Sequence, residues 1–417
     1  MKKKLITGIS LIFALFLVIY FQSCKRDSTN LSTDLTNKDY FYKKDSLFAP
    51  LSLAIQIAEN VNKSNIVLKT VTKNNLKSAL YLGKRKIKNN LTISDKNKTP
   101  YFYVLNYESG GFVVISADKR SIPIVGYSEK GNFKIDSLPL GLIKWFEQYA
   151  NYINHLRTSS SKPSGYVNYQ WENMSCDESL LKSTSGYECP PPPPSYTETT
   201  VTVGPLLTTS WNQDCGYNTY CPVASDGPCG YALTGCTATA MAQIMAYWKY
   251  PSSYNWSQMP LNYGNDNIAL LMKDVGYAIY TTYGGNGSSA YSTNIVPAFK
   301  NVFLYSSANF SDYDVSSYAT VVANLNNNQP VLLTGCNDQS TILGIPYSWS
   351  SCHAWVCDGY MQTTYYQNGV ETSQYLAFDM NWGWGGAYNG WFAFNYWNLP
   401  DGTNFQYGTE MVYNIHP

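Results

Sequence analysis

Residues 234–249 read Thr-Gly-Cys-Thr-Ala-Thr-Ala-Met-Ala-Gln-Ile-Met-Ala-Tyr-Trp-Lys. Met241, Ile244, Met245 and Trp248 recur at i, i+3, i+4 and i+7, so the spacing predicts a helix over 235–249 with this stripe buried as core. Pro251 ends it, because proline cannot supply the next helical N–H. Thr237, Ala238 and Ala240 are small and let another part of the fold come close. Cys236 opens the helix, where unpaired backbone N–H groups and the helix dipole favour a thiolate. A cysteine at a helix start is also an ordinary structural residue, so Cys236 alone assigns no chemistry.

Downstream, the runs 331–334, 353–358, 375–380 and 390–394 are β-rich and separated by Gly and Asn turns, which predicts strands. A helical half followed by a strand-rich half implies an α+β domain of two lobes with a cleft between them. Of the three histidines in the chain, His155 sits on the polar face of a predicted N-terminal helix and His416 is the penultimate residue. His353 is therefore the imidazole available to any base chemistry in the C-terminal half, although a buried structural histidine at a strand start reads the same way. A third group, Asp379-Met380-Asn381-Trp382-Gly383-Trp384-Gly385-Gly386, offers an amide oxygen to fix an imidazole tautomer and an indole to shield it. It also reads as a plain Gly-rich aromatic turn. The combination carries the argument: Cys236, then His353, then Asn381 is the order that papain-like enzymes use.

These residues resemble the streptopain-like cysteine peptidases. The likeness runs through Gly204-Pro205-Leu206-Leu207, Trp211-Asn212-Gln213, Tyr217-Asn218, Cys221-Pro222, Gly235-Cys236 to Tyr247, His353-Ala354-Trp355-Val356, Asp358-Gly359-Tyr360 and Asn381 to Gly386. The resemblance implies a papain-like catalytic domain over 201–417 that hydrolyses internal peptide bonds without metal or organic cofactor. Cys236 would be the nucleophile and His353 the general base, Asn381 and Trp382 would orient and cover the imidazole, and Gln213 would donate its amide to the oxyanion. The stretches Gly110 to Arg120 and Ile124 to Ser128 resemble the same family's propeptide. An inhibitory prodomain over 46–158 is therefore expected, acting on its own peptidase domain. Other papain-like hydrolases, such as a cell-wall amidase or a transglutaminase-like enzyme, would share the triad, and the Tyr-rich and Trp-rich composition also suits a surface adhesin.

Charge divides the same way. Residues 1–200 hold 26 Lys and Arg against 16 Asp and Glu, whereas residues 201–417 hold 3 against 12. A basic N-terminal half could dock on the acidic half that carries the candidate site. Scattered basic residues and an acidic working domain argue against nucleic acid as a partner. Within 46–158, apolar spacing predicts helices over 46–62 and 138–157, and strands over 101–107 and 111–117 joined by a turn at 108–110. Residues 159–200, with prolines from Pro190 to Pro194, read as a stiff connector open to cutting.

Lys2, Lys3 and Lys4 precede one apolar run ending near Tyr20, and Cys24 follows. This pattern reads as an export signal over 1–23 that resembles the bacterial lipoprotein type, with lipid placed on Cys24 and 24–45 as a tether. The expected location is exported and held at the bacterial outer membrane, facing the periplasm or the cell surface, as a monomer. Export permits disulfides. One pair is expected among Cys215, Cys221 and Cys229, another between Cys336 and Cys352, and a third between Cys176 and Cys189. For Cys352 the competing readings are a free thiol or a metal site shared with His353 and Cys357.

Overall fold

Side chains along the strand His353–Gln367 alternate between two cores: Trp355 and Cys357 enter one, Ala354 and Val356 the other. That two-residue period is what a strand buried on both faces requires, and in this computed structural model it organises the whole molecule. The structure describes residues 45–61, 85–135, 138–159, 161–175, 196–313, 315–335, 341–342, 345–346, 353–394 and 409–417. The expected signal, the tether to residue 44, the proline run and the cysteines at 24, 176, 189, 336 and 352 lie outside them.

The helices are α1 (Leu51–Asn60), α2 (Leu140–Thr158), α3 (Gly165–Ser175), α4 (Cys236–Trp248), α5 (Asp266–Ala278) and α6 (Tyr318–Asn326). The strands are β1 (Ile87–Ser94), β2 (Pro100–Tyr107), β3 (Phe112–Ser116), β4 (Ile124–Ser128), β5 (Tyr196–Val203), β6 (Ser307–Asp312), β7 (Val331–Gly335), β8 (Thr341–Ile342), β9 (Ile345–Pro346), β10 (His353–Gln367), β11 (Val370–Asn381), β12 (Gly390–Phe394) and β13 (Thr409–His416). All but β8 and β9 join one sheet in the order β1-β2-β3-β4-β12-β11-β10-β7-β13-β6, with β5 against the distal part of β10. The class is α+β, as expected. One face of the C-terminal strands packs on α4 and α5 to form the core with Trp211, Met241, Ile244, Met245 and Leu271. The other face meets the N-terminal domain, in a second core that includes Trp145, Phe146, Trp355, Phe378, Trp382 and Phe392.

The N-terminal domain folds much as its periodicity predicts. Helices expected over 46–62 and 138–157 are α1 and α2, and the paired strands are β2 and β3, turning through Gly110 and Gly111 at φ +82° and +83°. Strand pairing across the domain boundary was not legible. β4 adds to β12, with Tyr127 opposite Trp391 and Gly126 opposite Phe392, so one sheet runs through both domains.

The connector over 159–200 needs correction at both ends. Residues 165–175 form α3, which buries Tyr166, Val167 and Trp171. It docks on the N-terminal domain, where the Trp171 indole donates to the Ser121 carbonyl at 2.7 Å and the Asn60 amide donates to the Met174 carbonyl at 3.3 Å. At the far end, residues 196–203 are already a strand paired antiparallel with β10. The expected pair among the three clustered cysteines is Cys215–Cys229, which leaves Cys221 as a buried free thiol raised by burial to about 11.

Candidate active site

Gly235, at φ +91° and ψ 143°, turns the chain into α4, and a β-carbon there would sit 3.3 Å from the Ser288 carbonyl oxygen. A left-handed residue in close contact with a neighbouring loop favours glycine. Cys236 is the first residue of α4. Its Sγ accepts the backbone N–H of Ala354 at 3.3 Å, so the helix start abuts the first residues of β10. That single contact brings residue 236 beside residue 353 across 117 positions of sequence.

His353 is buried, at 6% exposure. Its Nε2 lies 3.2 Å from the Trp382 carbonyl oxygen, so Nε2 carries the hydrogen and donates it. Its ring stacks on Trp355 at 6.0 Å between centroids, and Trp355 leans on Trp382 at 5.5 Å. With Nε2 so engaged, Nδ1 is the nitrogen left to exchange a proton.

The expected contact between Asn381 and the imidazole is absent. Asn381 Nδ2 donates to the Thr209 carbonyl at 2.8 Å and to Gln243 Oε1 at 3.3 Å, while its Oδ1 accepts from Gln243 Nε2 at 3.2 Å and from Gly383 N–H at 3.2 Å. Two donors and two lone pairs are all that an amide has. Asn381 has nothing left for His353, and the main-chain carbonyl of Trp382 takes the place expected of it. Gln213 is half-buried, and its carbonyl accepts the Thr234 N–H at 3.1 Å, which sets it beside the turn into Cys236.

Electrostatically the site is held neutral. Burial pushes the Cys236 thiol up, opposed by the Ala354 N–H and by Thr237. Burial lowers His353 to about 4, with the Trp382 carbonyl opposing it. The N-terminal domain supplies part of that burial. Gly141, in the first turn of α2, lies so close to Trp382 and Trp355 that a β-carbon would sit 2.6 Å and 2.8 Å from their rings. Both tryptophans that frame His353 are thus capped by the domain expected to inhibit. Among the described residues, no cluster of His, Cys, Asp and Glu is arranged to hold a metal ion.

Behind the site, Asp358 and Asp379 form a buried pair. Asp358 Oδ2 accepts the Leu207 N–H at 2.9 Å. Burial raises both carboxyls, Asp379 to about 7, and the negative charge of Asp379 raises Asp358 further. A carboxyl with a raised folded value binds its proton more tightly folded than unfolded. Stability is then greatest below the ordinary value of 3.8 and falls as pH rises towards about 7. Asp379→Asn is therefore expected to raise the thermal midpoint at pH 8 and to leave it nearly unchanged at pH 4. A midpoint difference that does not vary with pH would rule this account out.

Sequence reasoning missed Gln243, fully buried two helical turns after Cys236. The lone amide of the helix, between Ala242 and Ile244, was the available signal. It also missed Trp355 as the shelf under the imidazole.

Comparison with known proteins agrees with this geometry. The model of the peptidase C10 family matches residues 211–253 and 252–392, and that of the Spi protease inhibitor matches residues 52–153. Streptopain of Streptococcus pyogenes is 27% identical over 339 residues, covering 70% of this chain and 73% of that protein. The thiol protease/hemagglutinin PrtT of Porphyromonas gingivalis is 25% identical over 363 residues, 76% of this chain but 37% of that protein. The fold matches prointerpain A of Prevotella intermedia with a TM-score of 0.52 and 24% identity, covering 79% of this chain and 99% of that one. The peptidase C10 match falls on the half that carries Cys236 and His353 and the inhibitor match on the half that packs over their tryptophans, and the chain is a cysteine endopeptidase made as a zymogen.

Proposed function

We propose that Cys236 and His353 carry the reaction, with the Trp382 carbonyl orienting the imidazole and the Gln213 amide beside the Cys236 N–H receiving the oxyanion. The Cys236 thiol gives its proton to His353 Nδ1, and the sulfur bonds to the carbonyl carbon as the C–O π pair moves onto oxygen. That pair returns, the C–N bond breaks, and the amine leaves with the proton from His353. Water then gives its proton to His353 and attacks the thioester, and the departing sulfur takes the proton back. The observation that carries this reading is the 3.3 Å contact of Cys236 Sγ with the N–H of Ala354, the residue next to His353.

Activation would cut between Ser175 and Tyr196, because α3 stays with the prodomain and β5 with the peptidase sheet. Export and lipid attachment at Cys24 would hold the enzyme at the outer membrane as a monomer acting on protein or peptide substrates. No helix among the described residues is long and apolar enough to cross a bilayer.

An epoxide thiol inhibitor is expected to label the processed chain once, at Cys236, at neutral pH. The precursor should react slowly there and faster as pH passes the ordinary thiol value of 9.0, because burial keeps its thiol protonated. Equal labelling of a Cys236→Ala chain, read by peptide mass mapping, would refute the assignment.

A further inference from the structure

The acceptor on His353 is a main-chain carbonyl, and a carbonyl orients an imidazole only as well as its own peptide is held. Three hydrogen bonds fix the Trp382 residue. Its N–H donates to Asn389 Oδ1 at 3.0 Å, its indole donates to the Tyr388 carbonyl at 2.9 Å, and the next N–H, of Gly383, donates to Asn381 Oδ1 at 3.2 Å. Gly383 sits at φ +71°, which turns the chain back towards α4, where a β-carbon would lie 3.2 Å from Thr239. The Trp382 carbonyl is left pointing at Nε2.

Asn381 is in turn held by Gln243. Their amides face each other reciprocally, at 3.2 Å and 3.3 Å. Gln243 Oε1 also accepts the Thr209 hydroxyl at 3.1 Å and the Trp211 N–H at 3.1 Å. Three donors therefore converge on one buried oxygen. Gln243 stands seven residues after Cys236, two turns along the same side of α4. Its amide joins the three segments that the reaction needs: the helix bearing Cys236, the 209–213 segment bearing Gln213, and the 381–383 turn bearing the carbonyl on His353.

Resting on the catalytic reading above, we propose that Gln243 is a positioning residue for hydrolysis: through Asn381 it sets the Trp382 carbonyl against His353 while fixing the Gln213 segment against the nucleophile's helix. It touches neither the substrate nor the reacting atoms. Its effect is on orientation, and orientation errors of about an ångström cost catalysis heavily while leaving substrate binding in place.

The test compares processed wild type, Gln243→Met, Asn381→Ala and the double variant, each normalised to sites titrated by an epoxide thiol inhibitor so that misfolded chains are not counted. Both single variants are expected to lose roughly ten- to hundredfold in kcat with KM changed less than about threefold. The double variant should lose little more than either single one, because both act through one link. The alkaline limb of the kcat profile should move to lower pH in both, since an imidazolium without its carbonyl acceptor gives up its proton more readily. Should Gln243→Met yield no folded chain, Asn381→Ala alone decides the matter by the same two readouts. Unchanged kcat per titrated site with an unmoved alkaline limb overturns the positioning role. An active Cys236→Ala chain would instead overturn the catalytic reading and leave this link unexplained.

Discussion

A Cys236→Ala precursor is expected to keep its full size indefinitely and to leave casein uncut under conditions where the native chain converts and cleaves. The expected loss in kcat is large, on the order of 10⁴-fold to 10⁶-fold, because removing a covalent nucleophile removes the thioester route altogether. His353→Ala should fall within the same range, and the double variant should be scarcely worse than either. Two groups that pass one proton between them act as a unit. The geometry behind this expectation is narrow: the sulfur sits on the N–H of residue 354, and the imidazole of residue 353 has its other nitrogen engaged by Trp382. Gel analysis of size and a casein assay followed over time check it. A His353→Ala chain that still cleaves at more than about a hundredth of the native rate would remove the imidazole from the mechanism.

How much of this was legible in the residues differs by kind of interaction. Short-range periodicity fixed α4 to within a residue at each end, because the Met241, Ile244, Met245 and Trp248 stripe and Pro251 are local signals. The strand expected over 390–394 is β12 itself. Longer strands were undercounted. β11 begins at Val370, and its exposed first residues, Val370 and Glu371, give no clean alternation. Pairing across the domain boundary left no trace in sequence, because β4 and β12 are each ordinary apolar strands and only the fold makes them neighbours.

At the site, the residue types were legible and their partners were not. Cys236 and His353 stood out by scarcity and order. Asn381 also stood out, yet its amide is fully used by Gln243, Thr209 and Gly383, and the imidazole meets a backbone carbonyl, which any residue would carry. A main-chain acceptor has no residue signature. The α3 helix was missed for another reason: Tyr166, Val167 and Trp171 form too irregular a stripe to mark a helix, and it is tertiary burial against Ser121 and Met174 that defines it.

Gly141→Val should release the inhibitory domain. The first turn of α2 lies against Trp382 and Trp355 with no room for a side chain, since even a β-carbon would come within 2.6 Å and 2.8 Å of their rings. Those rings cannot retreat. The Trp382 indole is tied to the Tyr388 carbonyl, and Trp355 is stacked under His353. The helix would have to lift, and it is anchored nearby by the Trp145 indole donating to the Ala393 carbonyl at 3.0 Å and by the Trp145–Phe392 edge contact at 5.1 Å. Overpacking of this kind costs about 1–3 kcal/mol, which is roughly a five- to 150-fold loss of affinity. Residues 46–175, which include α3, supplied in trans to the processed enzyme should show that rise in inhibition constant for Gly141→Val, and the full precursor should convert faster. The electrostatic consequence follows from the same contact. Burial is the largest cause holding the thiol protonated and the imidazole uncharged, so lifting the helix readmits water beside Trp382 and lets the pair share its proton as ions. An inhibition constant within twofold of native, for a domain shown by circular dichroism to be folded, would mean that this contact does not control access to His353.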